Sequence, residues 1–281
     1  MGALSKATSE GERTLGPLAA EDVPERLAEA LARQLARILD DLGGSGEERA
    51  HRQLDLINSI LMDVRHRLGG HGNQIDNFHA PLQLLHSIHR RTTPLVLPDT
   101  GLAMPWLFTA GKGSPLLVTE LRHELAACDE VDILVSFITH SGVRKLLDIL
   151  QSVTSVGADG QPRSRLRVLT TTYTGITEIQ AVDELARLPG CQVKVSLDGS
   201  RTRLHAKSWL FRRKTGFGSA YVGSANLSGA ALVGGLEWTV KFTERGQLAL
   251  FERAKAHFET LWDDGILPAT ASNERHSIGR D

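Results

Sequence analysis

The stretch "RLHAKSWLF" runs from Arg203 to Phe211, and "YVGSANLSG" follows from Tyr221 to Gly229. The first reads as a β-strand. In a strand, residues i and i+2 point the same way, so His205 and Lys207 project together. A buried strand has no use for either residue. An imidazole beside an ammonium does suit a phosphate: the lysine holds non-bridging oxygens as a point charge, and the imidazole attacks phosphorus or protonates a leaving oxygen. The second stretch leaves a strand through Gly-Ser-x-Asn and is expected to open a short helix at Asn226 or Leu227. Backbone N–H groups at a helix start favour anions, and Ser224 and Asn226 add side-chain donors. Glu237 lies on the expected strand "LEWTVKF", where its carboxylate would orient the imidazole and stabilise its charged form.

The surrounding charge favours an anionic partner. Between Arg201 and Lys214 stand Arg201, Arg203, Lys207, Arg212, Arg213 and Lys214, with no acid among them. Such a run makes a local anion-attracting field although the whole chain carries a formal charge of only −1. Arg201, Arg203, Arg212, Arg213 and Lys214 are therefore candidate substrate contacts alongside Ser224. A solvated basic hairpin tip is the plainer account of Arg212–Lys214.

Outward from this centre the pattern is α/β. "EVDILVSFI" is a near-continuous apolar strand, as in a sheet covered on both faces. Helix "SGVRKLLDILQSV", strand "SRLRVLTTTY", helix "EIQAVDELARL" and strand "CQVKVSLD" follow, and "RGQLALFERAKAHFETLW" closes the domain as a long helix. "SPLLVTELRHELAAC" opens it as a helix capped by Ser114. Ahead of it, residues 71–115 read as irregular. Residues 22–70 read as a helical hairpin suited to packing or self-association, with Asp22 as a cap and Pro24 in the first turn. Residues 1–21 are expected to be disordered and 266–281 to form a flexible tail around a domain at 71–265. With 281 residues, the chain has room for such a domain and its appendage. No apolar run approaches the roughly 20 residues of a membrane span. The N-terminus lacks the apolar core of a signal peptide, so a cytoplasmic protein is expected. Cys128 and Cys191 read as buried thiols, in neither a disulfide nor a metal site.

Each signature element alone is weak, but H-x-K, then G-S-x-N, then G-L-E-W fall in order within 34 residues. This set resembles the H-x-K…G-S-x-N signature of the phospholipase D superfamily. It is most similar to the prokaryotic nucleases found alone, fused to helicases, or as metal-independent restriction endonucleases. The resemblance covers roughly residues 80–265 and includes "VDILVSFITHSGVRKLLDIL", "RVLTTTYTGITE" and "YVGSANLSGAALVGGLEW". It implies an α/β/α sandwich around a mixed, largely parallel sheet, with His205, Lys207, Asn226 and Glu237 as catalytic residues. It also implies metal-independent cleavage of nucleic acid, DNA rather than RNA, through a covalent phosphohistidine, with no cofactor. One departure stands out. The lipase members carry an aspartate five residues after the lysine, where this chain has Arg212; the restriction-type members instead use a glutamate after G-S-x-N, which Glu237 matches.

The superfamily's active site needs two such motifs and this chain has one, so the resemblance implies a homodimer that shares one centre. A helicase or another component of restriction or phage defence is an implied partner. Two rival readings are a non-catalytic DNA-binding module for a helicase and a phospholipid-cleaving enzyme. Other features carry less. "TAGKGS" at 109–114 departs from the phosphate-loop pattern. His66, His71, His79, His86 and His89 are too irregularly spaced for a metal site. Trp209, Phe211, Trp238 and Phe242 could stack bases, although strand aromatics are ordinarily core. Thr170, Thr171 and Thr172 end a strand close to where the site should form.

Overall fold

The structure, a computed structural model, describes residues 19–69, 76–80, 98–109, 115–197 and 204–263. Expectations for the N-terminal segment before residue 19, Ser114, Arg201, Arg203, His71, His86, His89 and the C-terminal tail fall outside these residues. The chain divides into two units, Met1–Gln83 and Leu84–Asp281.

The first unit contains helices α1 (Val23–Asp41) and α2 (Gly46–Leu68). Pro24 lies in the first turn, where its missing N–H has no intrahelical partner to lose. Asp22 precedes α1 but makes no capping bond, contrary to expectation. Its φ of −86° and ψ of −15° are helical, because it ends a 3-10 turn at Ala20–Asp22, whereas a capping residue needs extended backbone. The connection is held by Gln53, whose Nε2 donates to the Leu39 carbonyl at 2.9 Å. Neither helix buries a residue, and Leu27, Leu31, Ile38, Met62 and Leu68 stay exposed.

In the second unit seven strands form one sheet: β1 (Trp106–Phe108), β2 (Glu130–Leu134), β3 (Arg165–Thr171), β4 (Cys191–Ser196), β5 (Ser208–Arg212), β6 (Ser219–Gly223) and β7 (Thr239–Thr243). Their spatial order is β1-β7-β6-β5-β2-β3-β4. Helices α3 (Leu117–Ala127), α4 (His140–Arg144), α5 (Leu147–Thr154), α6 (Ile179–Ala186), α7 (Gly229–Val233) and α8 (Leu248–Asp263) complete it. Alternation along the strands builds two cores. Val131, Ile133, Val168, Trp209, Phe211 and Tyr221 pack with Leu121, Leu125, Leu150 and Leu185 from the intervening helices. Leu134, Leu169, Leu210, Ala220 and Phe242 turn the other way onto Phe251, Phe258 and Trp262 of α8. The sheet is thus covered by helices on both faces, as expected for an α/β sandwich.

The sheet is mixed, but it is not largely parallel. Only β2–β3 and β3–β4 run parallel, while the other four pairings are antiparallel. The two β-α-β crossovers at β2–β3–β4 force parallel pairing; β5, β6 and β7 follow one another through shorter connections and pair antiparallel. Three local expectations also change. The strand at "EVDILVSFI" ends at Leu134, the helix at "SGVRKLLDILQSV" is split into α4 and α5, and β1 emerges within the segment read as irregular.

Candidate active site

The register brings the signature to one edge of the sheet. Ser208 pairs with Leu134 at the C-terminal end of β2 and with Val222 near the end of β6. Gly223 in turn pairs with Thr239 at the start of β7. The segment before β5, the exits of β2 and β6 and the entry to β7 therefore meet. Strand β5 crosses to the opposite side of β2 from β3. Ligands of α/β sheets bind in the crevice outside the carboxyl ends of strands at such a reversal of strand order.

His205 and Lys207 lie on the extended segment leading into β5 and not within the strand, as the sequence reading had them. His205 is exposed and Lys207 is only 7 % exposed. The Lys207 Nζ stands 3.0 Å from the His205 Nδ1 and 3.2 Å from Nε2, and donates to the His205 carbonyl at 2.7 Å. Burial pushes the Lys207 ammonium below the usual lysine range, and the Glu237 carboxylate opposes that shift. A buried ammonium is thus held against an accessible imidazole.

The Gly-Ser-x-Asn turn does more than present donors. A side chain at Gly223 would place its Cβ 2.1 Å from the Trp238 carbonyl oxygen, so only glycine lets β6 approach the entry to β7 this closely. Ser224 then clamps the next segment: its N–H donates to the Trp238 carbonyl at 3.0 Å, its Oγ accepts from the Trp238 N–H at 3.1 Å, and its hydroxyl donates to Glu237 Oε2. Asn226 is 8 % exposed, and its Oδ1 accepts the Ser136 and Phe137 N–H groups at 3.0 and 3.3 Å. That amide closes the open end of β2 where β5 has peeled away, and what it can offer a substrate is Nδ2.

Two expectations about this turn are corrected. Asn226 does not open a helix, because α7 starts at Gly229 with Ser228 as its cap. Glu237 precedes β7 and bonds Ser224; no hydrogen bond to the imidazole of His205 is seen, so its carboxylate supports the turn and faces Lys207.

The basic segment does not arrive at the site as a unit. Arg212 ends β5, a strand of roughly 17 Å, and Arg213 follows it, at the edge opposite Lys207. Arg212 Nη2 lies 2.8 Å from both Asp132 and Glu130 carboxylates. With Arg167 and Glu259 these residues form one ion-pair cluster beneath α8. Arg213 is fully enclosed, paired with Glu124 and donating to the Ala127 and Phe217 carbonyls. Both arginines are structural. Lys214 is exposed and, with Arg213, lines a cavity of about 840 Å³ at that far edge, which holds none of the signature residues.

Thr170 and Thr171 are buried, and Thr171 donates its hydroxyl to the Ser196 carbonyl at 3.0 Å. Burial pushes the Cys128 and Cys191 thiols up to about 12, which keeps them protonated and unreactive. Among the described residues no three His, Cys, Asp or Glu side chains stand together as metal ligands, and no helix is long and apolar enough to cross a membrane. Trp209, Phe211 and Phe242 are core, but Trp238 is 66 % exposed. His140, absent from the sequence reading, opens α4 just beyond β2 at the same edge, with Nε2 3.5 Å from a Glu184 carboxylate oxygen. Nothing in its local sequence marks it, since its place depends on where β2 ends.

No protein-family model matches this chain, and comparison with curated proteins gives no match. Among solved structures it is similar to NucT from Helicobacter pylori, at 18 % identity over 57 % of this chain and 95 % of the other, with a TM-score of 0.43. It is also similar to a phospholipase D family member, Nuc from Salmonella typhimurium, at 14 % identity over 60 % and 99 % of the two chains, with a TM-score of 0.44. TrmBL2, an archaeal chromatin protein, overlaps 95 % of this chain and 80 % of its own at 10 % identity and a TM-score of 0.39. Likenesses at this level say nothing of the chemistry.

Proposed function

We propose that this chain is a phosphodiesterase of the phospholipase D superfamily that cleaves nucleic acid, DNA in particular, through a phosphohistidine on His205 and without a metal ion. The observation that carries the reading is the meeting of His205, Lys207, Ser224, Asn226 and Glu237 at one sheet edge, with a buried ammonium against an accessible imidazole.

A phosphate oxygen entering this edge competes for the Lys207 Nζ and draws it from the ring. A ring nitrogen of His205 then bonds phosphorus as the bond from phosphorus to the leaving oxygen breaks. That oxygen takes a proton from a second histidine. Water next attacks phosphorus, gives its proton back to that second histidine, and frees His205 as the N–P bond breaks. Lys207 and the Asn226 amide neutralise the charge that develops on the non-bridging oxygens. Glu237 holds Ser224 and balances Lys207.

The chain carries one signature, and one imidazole cannot stand on both sides of phosphorus. A two-fold dimer places a second His205 opposite the first. The apolar residues exposed on α1 and α2 are available to such an assembly. A setting in restriction or phage defence with a helicase partner goes with the sequence resemblance.

Two experiments test the reading. Cleavage of labelled DNA by the purified chain is expected to persist in excess EDTA, because Lys207 and amide groups supply the positive potential; complete loss under chelation with recovery on magnesium contradicts it. Mixing wild-type with excess His205→Ala subunits is expected to lower activity below the wild-type fraction, because mixed dimers lack one histidine. Full activity from a monomer would remove the shared centre and shift the acid role to another histidine, His140 being one at the same edge. DNA binding without cleavage would favour the non-catalytic module, and hydrolysis of phosphatidyl vesicles but not DNA the lipid enzyme.

A further inference from the structure

Trp238 is the aromatic residue whose placement departs most from the sequence pattern. It follows Glu237 directly, and its backbone is fixed at both N–H and C=O by Ser224, so the indole is carried by the signature turn itself. Yet the residue is 66 % exposed, beside Leu236 at 91 %. The apolar surface continues along the strands. Val240 pairs in register with Val222 on one side and Leu107 on the other, which places three side chains in a row on one face. Their exposures are 45, 42 and 42 %. The alternation that puts Val240 on this face carries Trp238 there too, and sends Glu237, Thr239 and Lys207 to the opposite face. A fixed aromatic ring with an apolar row behind it therefore borders the phosphate-binding edge.

We propose that Trp238, backed by Val240, Val222 and Leu107, is a stacking platform for an unpaired base next to the phosphate held at Lys207, so that the preferred substrate is single-stranded nucleic acid. The inference rests on the phosphodiesterase reading for the position of the phosphate. Two physical points select a single strand. The bases of a duplex are stacked inside it and offer no face to a side chain, whereas a base in a single strand can lie flat on an exposed indole. The phosphate site and the apolar row also lie on opposite faces of the sheet edge. A strand reaching both must turn over that edge within a nucleotide or two. A duplex, with a persistence length of about 150 base pairs, does not make such a turn without distortion.

Binding tests this without requiring cleavage. In the His205→Ala protein, which retains Trp238, affinity for a fluorescein-labelled single-stranded oligonucleotide and for the matching duplex is measured by anisotropy. Adding Trp238→Ala is expected to weaken single-strand binding by about tenfold or more and to change duplex binding little. Trp238→Phe should restore most of the loss. Should the alanine variant unfold, the difference in tryptophan emission between wild-type and Trp238→Phe decides: quenching by the single strand must be confined to the protein that retains Trp238. Equal weakening for both nucleic acids, or no weakening, overturns the platform. A fall in oligomer mass by light scattering on Trp238→Ala would instead make the row a contact between copies of the chain and overturn it as well. A wild-type protein that binds single strands through Trp238 but never cuts them would defeat the phosphodiesterase reading and leave the platform standing.

Discussion

Replacing His205 with alanine is expected to lower DNA cleavage by about four or more orders of magnitude, the scale on which removal of a nucleophile is felt. Binding should change far less, because Lys207 and the Asn226 amide remain. The side chain is exposed, and the Lys207 Nζ keeps its bond to the backbone carbonyl of residue 205, so the variant should unfold near the parental denaturant midpoint. Steady-state cleavage of a labelled oligonucleotide, with binding followed separately, separates the two effects. A His205→Ala protein that cuts at the parental rate removes this histidine from the chemistry.

The second large effect concerns stability. Glu124 on α3 lies 3.0 Å from the Lys241 ammonium of β7 and pairs with Arg213, which follows β5. The Tyr221 hydroxyl also donates to it at 2.8 Å. Burial alone would raise this carboxyl, but Arg213 and Lys241 outweigh it and hold it at about 2. Glu124→Ala would leave both cations enclosed without their partner. We expect a loss of about 3–5 kcal/mol, a large part of the roughly 5–15 kcal/mol that holds a domain folded. Urea unfolding checks the size. The pH dependence checks the cause: a depressed carboxyl contributes stability above its unfolded value near 4.5, and that contribution is lost as pH falls towards about 2. The gap between wild-type and Glu124→Gln should therefore narrow over this range. A constant gap would mean that packing, not charge, is lost.

How much of this was legible in the sequence follows from how far each property reaches along the chain. Strand and helix placement came through because it depends on local apolar spacing, as at β3, β4 and α8. The sense of the sheet did not, since pairing of β5 with β2 joins residues such as Trp209 and Ile133 that local pattern cannot relate. The same limit governed the arginines. Arg213 looked like a substrate contact until the fold brought Glu124 to it, and Arg212 until Asp132 and Glu130 did. His205, Lys207, Ser224, Asn226 and Glu237 could be picked out together as candidates because their spacing is compressed into adjacent elements. Their internal wiring was not: that Ser224 would bond Glu237, and that Asn226 would close the end of β2, depends on where two strands stop. Trp238 failed for a related reason, because strand periodicity predicts a face but not whether anything covers it.

The phosphohistidine is the central claim, and direct capture tests it. The chain is mixed with oligonucleotide in EDTA, quenched in alkaline denaturant after less than one turnover, and digested for mass spectrometry. We predict a phosphoryl-oligonucleotide adduct on His205, labile to acid, formed and lost at rates compatible with turnover and missing from His205→Ala. Cleavage that proceeds at full rate with no adduct at His205, or with one on another residue, contradicts the account.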